Sequence, residues 1–370
     1  MERRTFLTLA GAGAVASAAS AASLAQVAPA PAAELKNYVV DGSDVSMLSV
    51  QYLDLLNAGG VDVVLANGIT SLFDFSVALD FIGRHDARIA LVRKFTDIAE
   101  AKRQGKVAWI FGWQFADFLQ TSAGNRWDTM PPMHGLRAYY ELGLRCVGLA
   151  YNVGNQFAGG CLDPTMPLTK AGRYLAQEMQ EMGILMDCGG HTGEQSSLDI
   201  ISLAKRPVVC THSNAKTLND NPRATSDRVI EGIARTGGVF GVNAISTFLT
   251  WGYKDVNKDR VRDRPPTAKL DRFLDEIDYL MRLIGPDHIG IGPDFTHGRG
   301  SFKVDPTKSF SFPIEMTFGE DGIEYVQGFE DISKLGNVRA GLVKRNYSKE
   351  NIDKILGGNW MRVYQLAWNA

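Results

Sequence analysis

Short Val/Ile-rich runs recur along this chain, each followed by a polar cluster and then by a longer amphipathic stretch. The runs are Tyr38–Asp41, Val61–Ala66, Val107–Phe111, Cys146–Ala150, Ile184–Asp187, Pro207–Cys210, Val239–Val242 and His288–Ile291. Apolar at nearly every position and too short for helices, they read as parallel strands covered on both faces. Helical periodicity fills the spaces between them at Leu48–Asn57, Phe73–Ile82, Ile98–Gln104, Gly135–Leu142, Lys170–Met182, Ser226–Arg235 and Leu270–Leu283. Gly143, Gly183 and Gly285 stand where C-terminal helix caps are expected. Strands alternating with helices predict an α/β chain folded as a (β/α)8 TIM barrel. A doubly wound open sheet is the alternative, yet no glycine-rich dinucleotide loop follows the first run. The Gly298–Ile323 segment, rich in Phe, Ser and Pro, reads as a long loop after the last strand.

The first 33 residues do not share this rhythm. Arg3-Arg4-Thr5-Phe6-Leu7 precedes a weakly apolar Ala/Gly/Val run, and Ser23-Leu24-Ala25 offers a small-residue cleavage site. This is the twin-arginine export pattern, followed by a flexible lead from Pro29 to Ala33. It predicts residues 1–33 as a signal segment read by the twin-arginine translocase and residues 34–370 as a single barrel domain in the periplasm. No later apolar run is long enough to span a membrane.

Composition narrows the field slightly. A formal charge of −2 over 370 residues argues against a nucleic-acid partner. The 4 cysteines, Cys146, Cys161, Cys188 and Cys210, are too scattered for a disulfide framework. Lys344-Arg345-Asn346 reads as a solvated charge run.

In a parallel barrel the chemistry sits just past the carboxyl ends of the strands. Those positions hold Asp41-Gly42-Ser43-Asp44, Asn67, Gln114, Tyr151-Asn152, His191, His212, Asn243 and Asp294. Two of the chain's 6 histidines fall here, on adjacent strands, with Asp294 two strands further round. Neutral imidazoles and a carboxylate are the usual donors for zinc or a similar divalent ion. Cys188 and Cys210 lie close before the two histidines, but buried cysteines at strand ends are expected to pack.

Several spaced motifs then follow in a familiar order. They are Gly183-Ile-Leu-Met-Asp187 to His191-Thr-Gly, Pro207-Val-Val-Cys-Thr-His212-Ser-Asn-Ala, and Asn221-Pro-Arg223 to Asp227. Asp287-His-Ile-Gly-Ile-Gly-Pro-Asp294-Phe and Leu356-Gly-Gly-Asn-Trp-Met-Arg-Val complete the series. From about Val39 to Trp368 the chain resembles the membrane (renal) dipeptidase family, the M19 metallopeptidases. The resemblance implies an amidohydrolase-type barrel, two zinc ions and hydrolysis of short peptides, including those with D-residues. It implies His191 and His212 as ligands of the second zinc, Arg223 as the holder of the substrate carboxylate and Asp294 as a proton shuttle. The family often forms dimers.

This sequence also departs from that pattern. Where the family's first strand ends in Asp-Gly-His-x-Asp, the chain has Asp41-Gly42-Ser43-Asp44-Val45, so Ser43 and Val45 replace two ligands. Gln114 stands at the bridging glutamate, Tyr151 at a substrate-facing histidine, and one extra glycine lies between Asp187 and His191. The first metal is therefore expected to be absent. The substitutions, with Gly159-Gly160-Cys161 and the Asp294-Phe-Thr-His297-Gly continuation, resemble a bacterial sub-branch of the family.

The expectation is a dipeptidase-like hydrolase holding one zinc, or another divalent ion, on His191 and His212 with Gln114 or Asp294 nearby. Its substrate would be a dipeptide or other small molecule with an amide bond, met by Arg223, Tyr151 and Asn152. Two alternatives remain open on the same barrel. One is non-hydrolytic lyase, isomerase or maturation chemistry on a peptide-derived metabolite. The other is a metal-free binding protein.

Overall fold

The apolar runs lie side by side as parallel strands. The computed structural model describes residues 35, 37–69, 71–117, 119, 133–250, 266–299 and 323–368. The expected signal segment and residues 300–322 of the expected long loop lie outside the described residues. In chain order the strands are β1 (Val40–Asp44), β2 (Val63–Ala66), β3 (Ile89–Leu91), β4 (Val107–Trp113) and β5 (Leu144–Gly148). They continue with β6 (Leu185–Asp187), β7 (Cys210–Ser213), β8 (Phe240–Val242) and β9 (Ile289–Ile291).

One sheet runs β1-β2-β4-β5-β6 and a second runs β7-β8-β9. Two seams join them into a ring. The Cys188 N–H donates to Val209 O at 2.7 Å, linking the end of β6 to the approach to β7. At the other seam Asp294 N–H donates to Ser43 O and Val45 N–H to Phe295 O, both at 2.9 Å, linking the end of β9 to β1. The eight strands of the ring are those expected from the sequence. The chain is an α/β protein with the TIM-barrel architecture.

Three departures have local causes. β3 pairs with Val107–Trp109 of β4, while β5 pairs with Phe111–Trp113, so β3 fills the lower part of one seam. With only three residues it offers too little pattern to read. Secondly, β1 and β7 end three residues later than expected, which puts Ser43, Asp44 and His212 inside the strands. Thirdly, the helix Glu194–Leu203 escapes a periodicity search because its buried face carries Ser196 and Ser197. These serines hold loops: Ser196 Oγ receives Gly159 N–H, and Ser197 Oγ receives Gly189 N–H, each at 2.9 Å. Gly183 does cap its helix in the left-handed conformation, with φ 76°.

Arg345 is a further correction. It is not a solvated charge but joins two helices, with Nη1 at 2.8 Å from Asp275 and 2.5 Å from Asp278.

The helix Asn359–Trp368 closes the amino-terminal end of the barrel. Asn359 Nδ2 donates to Pro286 O at 2.7 Å and Ile289 O at 2.8 Å, and Trp360 Nε1 donates to Ile291 O at 3.2 Å. The Trp360 ring, fully buried, packs in one cluster with Val40, Leu65, Ile110 and Val239 from the strands. A Cβ added at Gly42 or Gly290 would press into this ring, and one at Gly241 would strike Thr211 O and crowd the ring at 3.1 Å, so glycines on three neighbouring strands line its socket. Trp360→Ala should therefore cost ~3–5 kcal/mol in urea unfolding. Gly290→Ala should cost ~1–3 kcal/mol in the wild type, and markedly less once Trp360 is removed.

Candidate active site

At the opposite end of the barrel the strand termini gather a buried polar cluster. His212, on β7, is 2% exposed, and His191, separated from β6 by the three residues Cys188 to Gly190, is 8% exposed. Their rings lie 5.0 Å apart at an interplanar angle of 62°.

Hydrogen bonds define the protonation of each ring. Thr211 Oγ1 donates to Asp187 Oδ2 at 2.5 Å, so its lone pair is left for His212 Nδ1–H at 2.7 Å. Ser43 Oγ also lies 3.1 Å from that nitrogen and receives Asn67 Nδ2 at 3.0 Å. His191 Nδ1–H donates to Asn152 Oδ1 at 2.7 Å. Both imidazoles are thus neutral with the proton on Nδ1 and a lone pair on Nε2. Burial, followed by the positive charge of Arg223, pushes both rings well below the usual histidine pKa.

The two Nε2 lone pairs face N–H donors of the chain itself. Arg223 Nη2 lies 3.1 Å from His191 Nε2, and Gln114 Nε2 lies 3.5 Å from His212 Nε2. The Gln114 amide also points at Asp294 Oδ1, 3.4 Å away. Asn243 Nδ2 donates to the other Asp294 oxygen at 3.2 Å. That same oxygen is 3.9 Å from His212 Nε2.

Asp294 follows β9 with a left-handed backbone, φ 65°, rare for a residue with a side chain. The conformation is pinned by its N–H on Ser43 O and by Tyr325 Oη donating to its carbonyl at 2.9 Å. Burial raises its carboxyl to about 7, against the opposing pull of Arg223, Asn243 and Gln114. A carboxyl near neutrality can both take and return a proton at physiological pH.

Arg223 is 3% exposed, and among the described residues no carboxylate forms an ion pair with it. Its guanidinium lies 5.5 Å from the Phe248 ring centroid, a cation–π contact. Tyr151 stacks on His191 with centroids 3.9 Å apart and is 37% exposed, so it forms part of the mouth. Phe115 leans edge-on against Tyr151 at 5.3 Å. Trp109 and Trp113 are core residues, 2% and 1% exposed.

All seven residues singled out in the sequence (Asp294, His191, His212, Gln114, Arg223, Tyr151 and Asn152) therefore meet at one end of the barrel. Asn152 contributes by holding His191. His297, in the segment after Asp294, stacks on Tyr52, with centroids 5.9 Å apart. Cys188 and Cys210 are fully packed thiols whose pKa burial raises. Sequence reasoning passed over the Asp187–Thr211 pair that orients His212. The only available signal was two polar residues inside otherwise apolar runs.

The fit to a divalent ion can be tested on these donors. Ser43 turns its hydroxyl to His212 and Asn67, and Val45 has no donor atom. Asp44, beside them, is occupied by Tyr52 Oη at 2.5 Å and Ser46 N–H at 2.7 Å. Gln114, expected near the ion, presents an N–H₂ to His212. Both histidine lone pairs already have N–H partners. Among the described residues, no three His, Cys, Asp or Glu side chains are arranged to hold a metal. The expected zinc does not fit the residues as they are placed.

Comparison with known proteins gives the site its context. The membrane dipeptidase (peptidase family M19) model matches residues 71–307 and 313–369. The chain is 28% identical over 280 residues to dipeptidase tcpJ of Claviceps purpurea, covering 75% of this chain and 55% of that protein. It thus spans about half the length of that curated relative. A Klebsiella pneumoniae protein described as lying in the pqqA 5′ region is 30% identical over 240 residues, 63% of this chain and 76% of its own. An amidohydrolase structure from Pseudomonas aeruginosa superposes with a TM-score of 0.74 at 25% identity, over 92% of this chain and 99% of that one. A Rhodobacter sphaeroides metallo peptidase, solved with a phosphinate mimic of L-Ala-D-Ala, has the same fold at TM-score 0.65 and 20% identity, over 90% of this chain and 100% of that one. With a family model matching well over half its length, and with the barrel and strand-end cluster in place, the chain belongs to the membrane dipeptidase family, peptidase family M19.

Proposed function

We propose that the protein is a dipeptidase-like hydrolase acting on a small peptide or amide that carries a carboxylate. The observation that carries this proposal is Arg223, a buried guanidinium without a carboxylate partner among the described residues, at the same barrel mouth as Asp294. A buried charge without a counter-ion is costly, and a substrate carboxylate supplies one with fork-like geometry. The family membership and a relative described as a dipeptidase support the same substrate class.

The chemistry follows from this chain's own groups. Ionised Asp294 takes a proton from the attacking water and passes it to the leaving nitrogen. Asn243 holds one of its oxygens while Gln114 holds the other. Tyr151, stacked on His191, covers one side of the mouth and limits the size of what enters.

A second reading is favoured by one specific observation. With Gln114 in place of a carboxylate and both Nε2 atoms engaged, Asp294 is the one group among the described residues left to activate water. Acid–base chemistry at Asp294 on a peptide-derived metabolite, a lyase or isomerase step, would use the same residues. Turnover without a gain of water in the product mass would select it.

We also propose export through the twin-arginine route on the strength of Arg3-Arg4. Among the described residues, no helix is long and apolar enough to cross a membrane.

Four outcomes are expected. On a dipeptide panel that includes D-residues, kcat/KM should rise with pH through about 7 and then level off, because Asp294 must be ionised to accept the proton. Asp294→Asn should lower kcat/KM by ~10²–10⁴-fold and abolish that rise. Arg223→Lys should raise KM by roughly 10–100-fold for substrates with a free carboxylate, and much less for their amides. Replacing Arg3 and Arg4 by lysines should leave the protein in the cytoplasm, as read by cell fractionation.

A further inference from the structure

The turn between β6 and His191 contains Gly189 and Gly190, both left-handed at φ 84° and 60°. It is tied down by Gly189 N–H on Ser197 Oγ and Gly190 N–H on Thr225 Oγ1, each at 2.9 Å. A Cβ at Gly190 would collide with Arg223 Nη1. This turn is where the chain carries one glycine more than the family pattern that it resembles. The extra residue, without a side chain, lets the guanidinium reach His191.

On its far side the His191 ring is held just as firmly. Asn152 accepts from Nδ1 and is itself left-handed at φ 61°. A Cβ at Gly160 would overlap the Asn152 backbone, so another glycine is required there. The lone pair of His191 is thereby aimed at Arg223, its one hydrogen-bond partner among the described residues. Zinc would have to sit about 2 Å from that nitrogen. The guanidinium nitrogen already occupies this approach at 3.1 Å, and two cations so close repel strongly in a dry site.

We propose that the Arg223 guanidinium is the resident cation of this site, taking the place of a divalent ion at His191, and that Gly190 is the residue that makes room for it. The inference rests on the proposed function only in taking this end of the barrel as the reaction site. The Gln114 amide completes the arrangement by filling the corresponding position at His212. Positive charge at the mouth is then permanent, independent of metal supply, and fork-shaped.

The test reads metal and protonation, so its failure is separable from a failure of the hydrolase proposal. The full chain is expressed with zinc in the medium and purified, and its zinc content is measured by elemental analysis. Melting temperatures are recorded with added zinc chloride and with EDTA. The expected result is well under one zinc per chain and no shift with either reagent. About one zinc per chain, lost in His191→Ala, would overturn the inference whatever the protein hydrolyses. Arg223→Met should gain a zinc-dependent rise of several degrees that the wild type lacks. If the folded variant shows no such rise, Arg223 is not what excludes the ion and the proposal falls. Long-range ¹H–¹⁵N spectra of the wild-type histidines provide a readout that needs no variant. His191 should remain the neutral Nδ1–H form with and without zinc, and a zinc-induced shift of its Nε2 would overturn the proposal.

Discussion

A guanidinium buried at the mouth of a barrel constrains everything near it. Arg223 has no carboxylate partner among the described residues, and its charge is felt across the whole cluster. It adds to the burial that keeps His191 and His212 neutral, and it opposes the burial that raises Asp294 and Asp187. Leaving such a charge uncompensated costs on the order of several kcal/mol, and under the proposed function a substrate carboxylate would offset that cost.

The remaining polar residues supply orientation. Asp187, Thr211 and Ser43 fix the tautomer of His212, and Asn152 fixes that of His191. Asn243 and Gln114 hold one oxygen each of Asp294. Every one of these side chains comes from a strand end or the residues just beyond it, so the barrel itself sets their spacing. The far end of the same barrel is closed by Trp360, whose ring needs glycines on β1, β8 and β9. Two of these strands, β1 and β9, also form the seam that carries Ser43 and Asp294. Packing below and chemistry above are thus coupled through one pair of strands.

Much of this was legible without coordinates because it depends on local pattern. Runs of Val and Ile too short for helices, each ending in Gly or a polar cluster, can only be buried parallel strands. Eight of them with helices between restrict the architecture to very few choices. The strand-end list followed directly, since parallel strands place their carboxyl ends on one side. What stayed hidden was equally physical. A three-residue strand carries no periodicity, and the helix Glu194–Leu203 buries serines where apolar residues would have marked its face. Arg345 looked solvated because its three aspartate partners lie some 70 residues away.

The sequence by itself determined the class of fold, the set of residues at the catalytic end and the loss of the usual first-strand ligands. Each of these is a property of residue identity and order along the chain. Only the tertiary structure decided what the retained histidines face. His191 and His212 read as metal ligands in one dimension because their side chains are right for it. In three dimensions a glycine turn brings Arg223 to one lone pair, and a strand end brings Gln114 to the other. Contacts between residues tens to about a hundred positions apart are set by loop path and backbone conformation, which leave no periodic trace in the sequence.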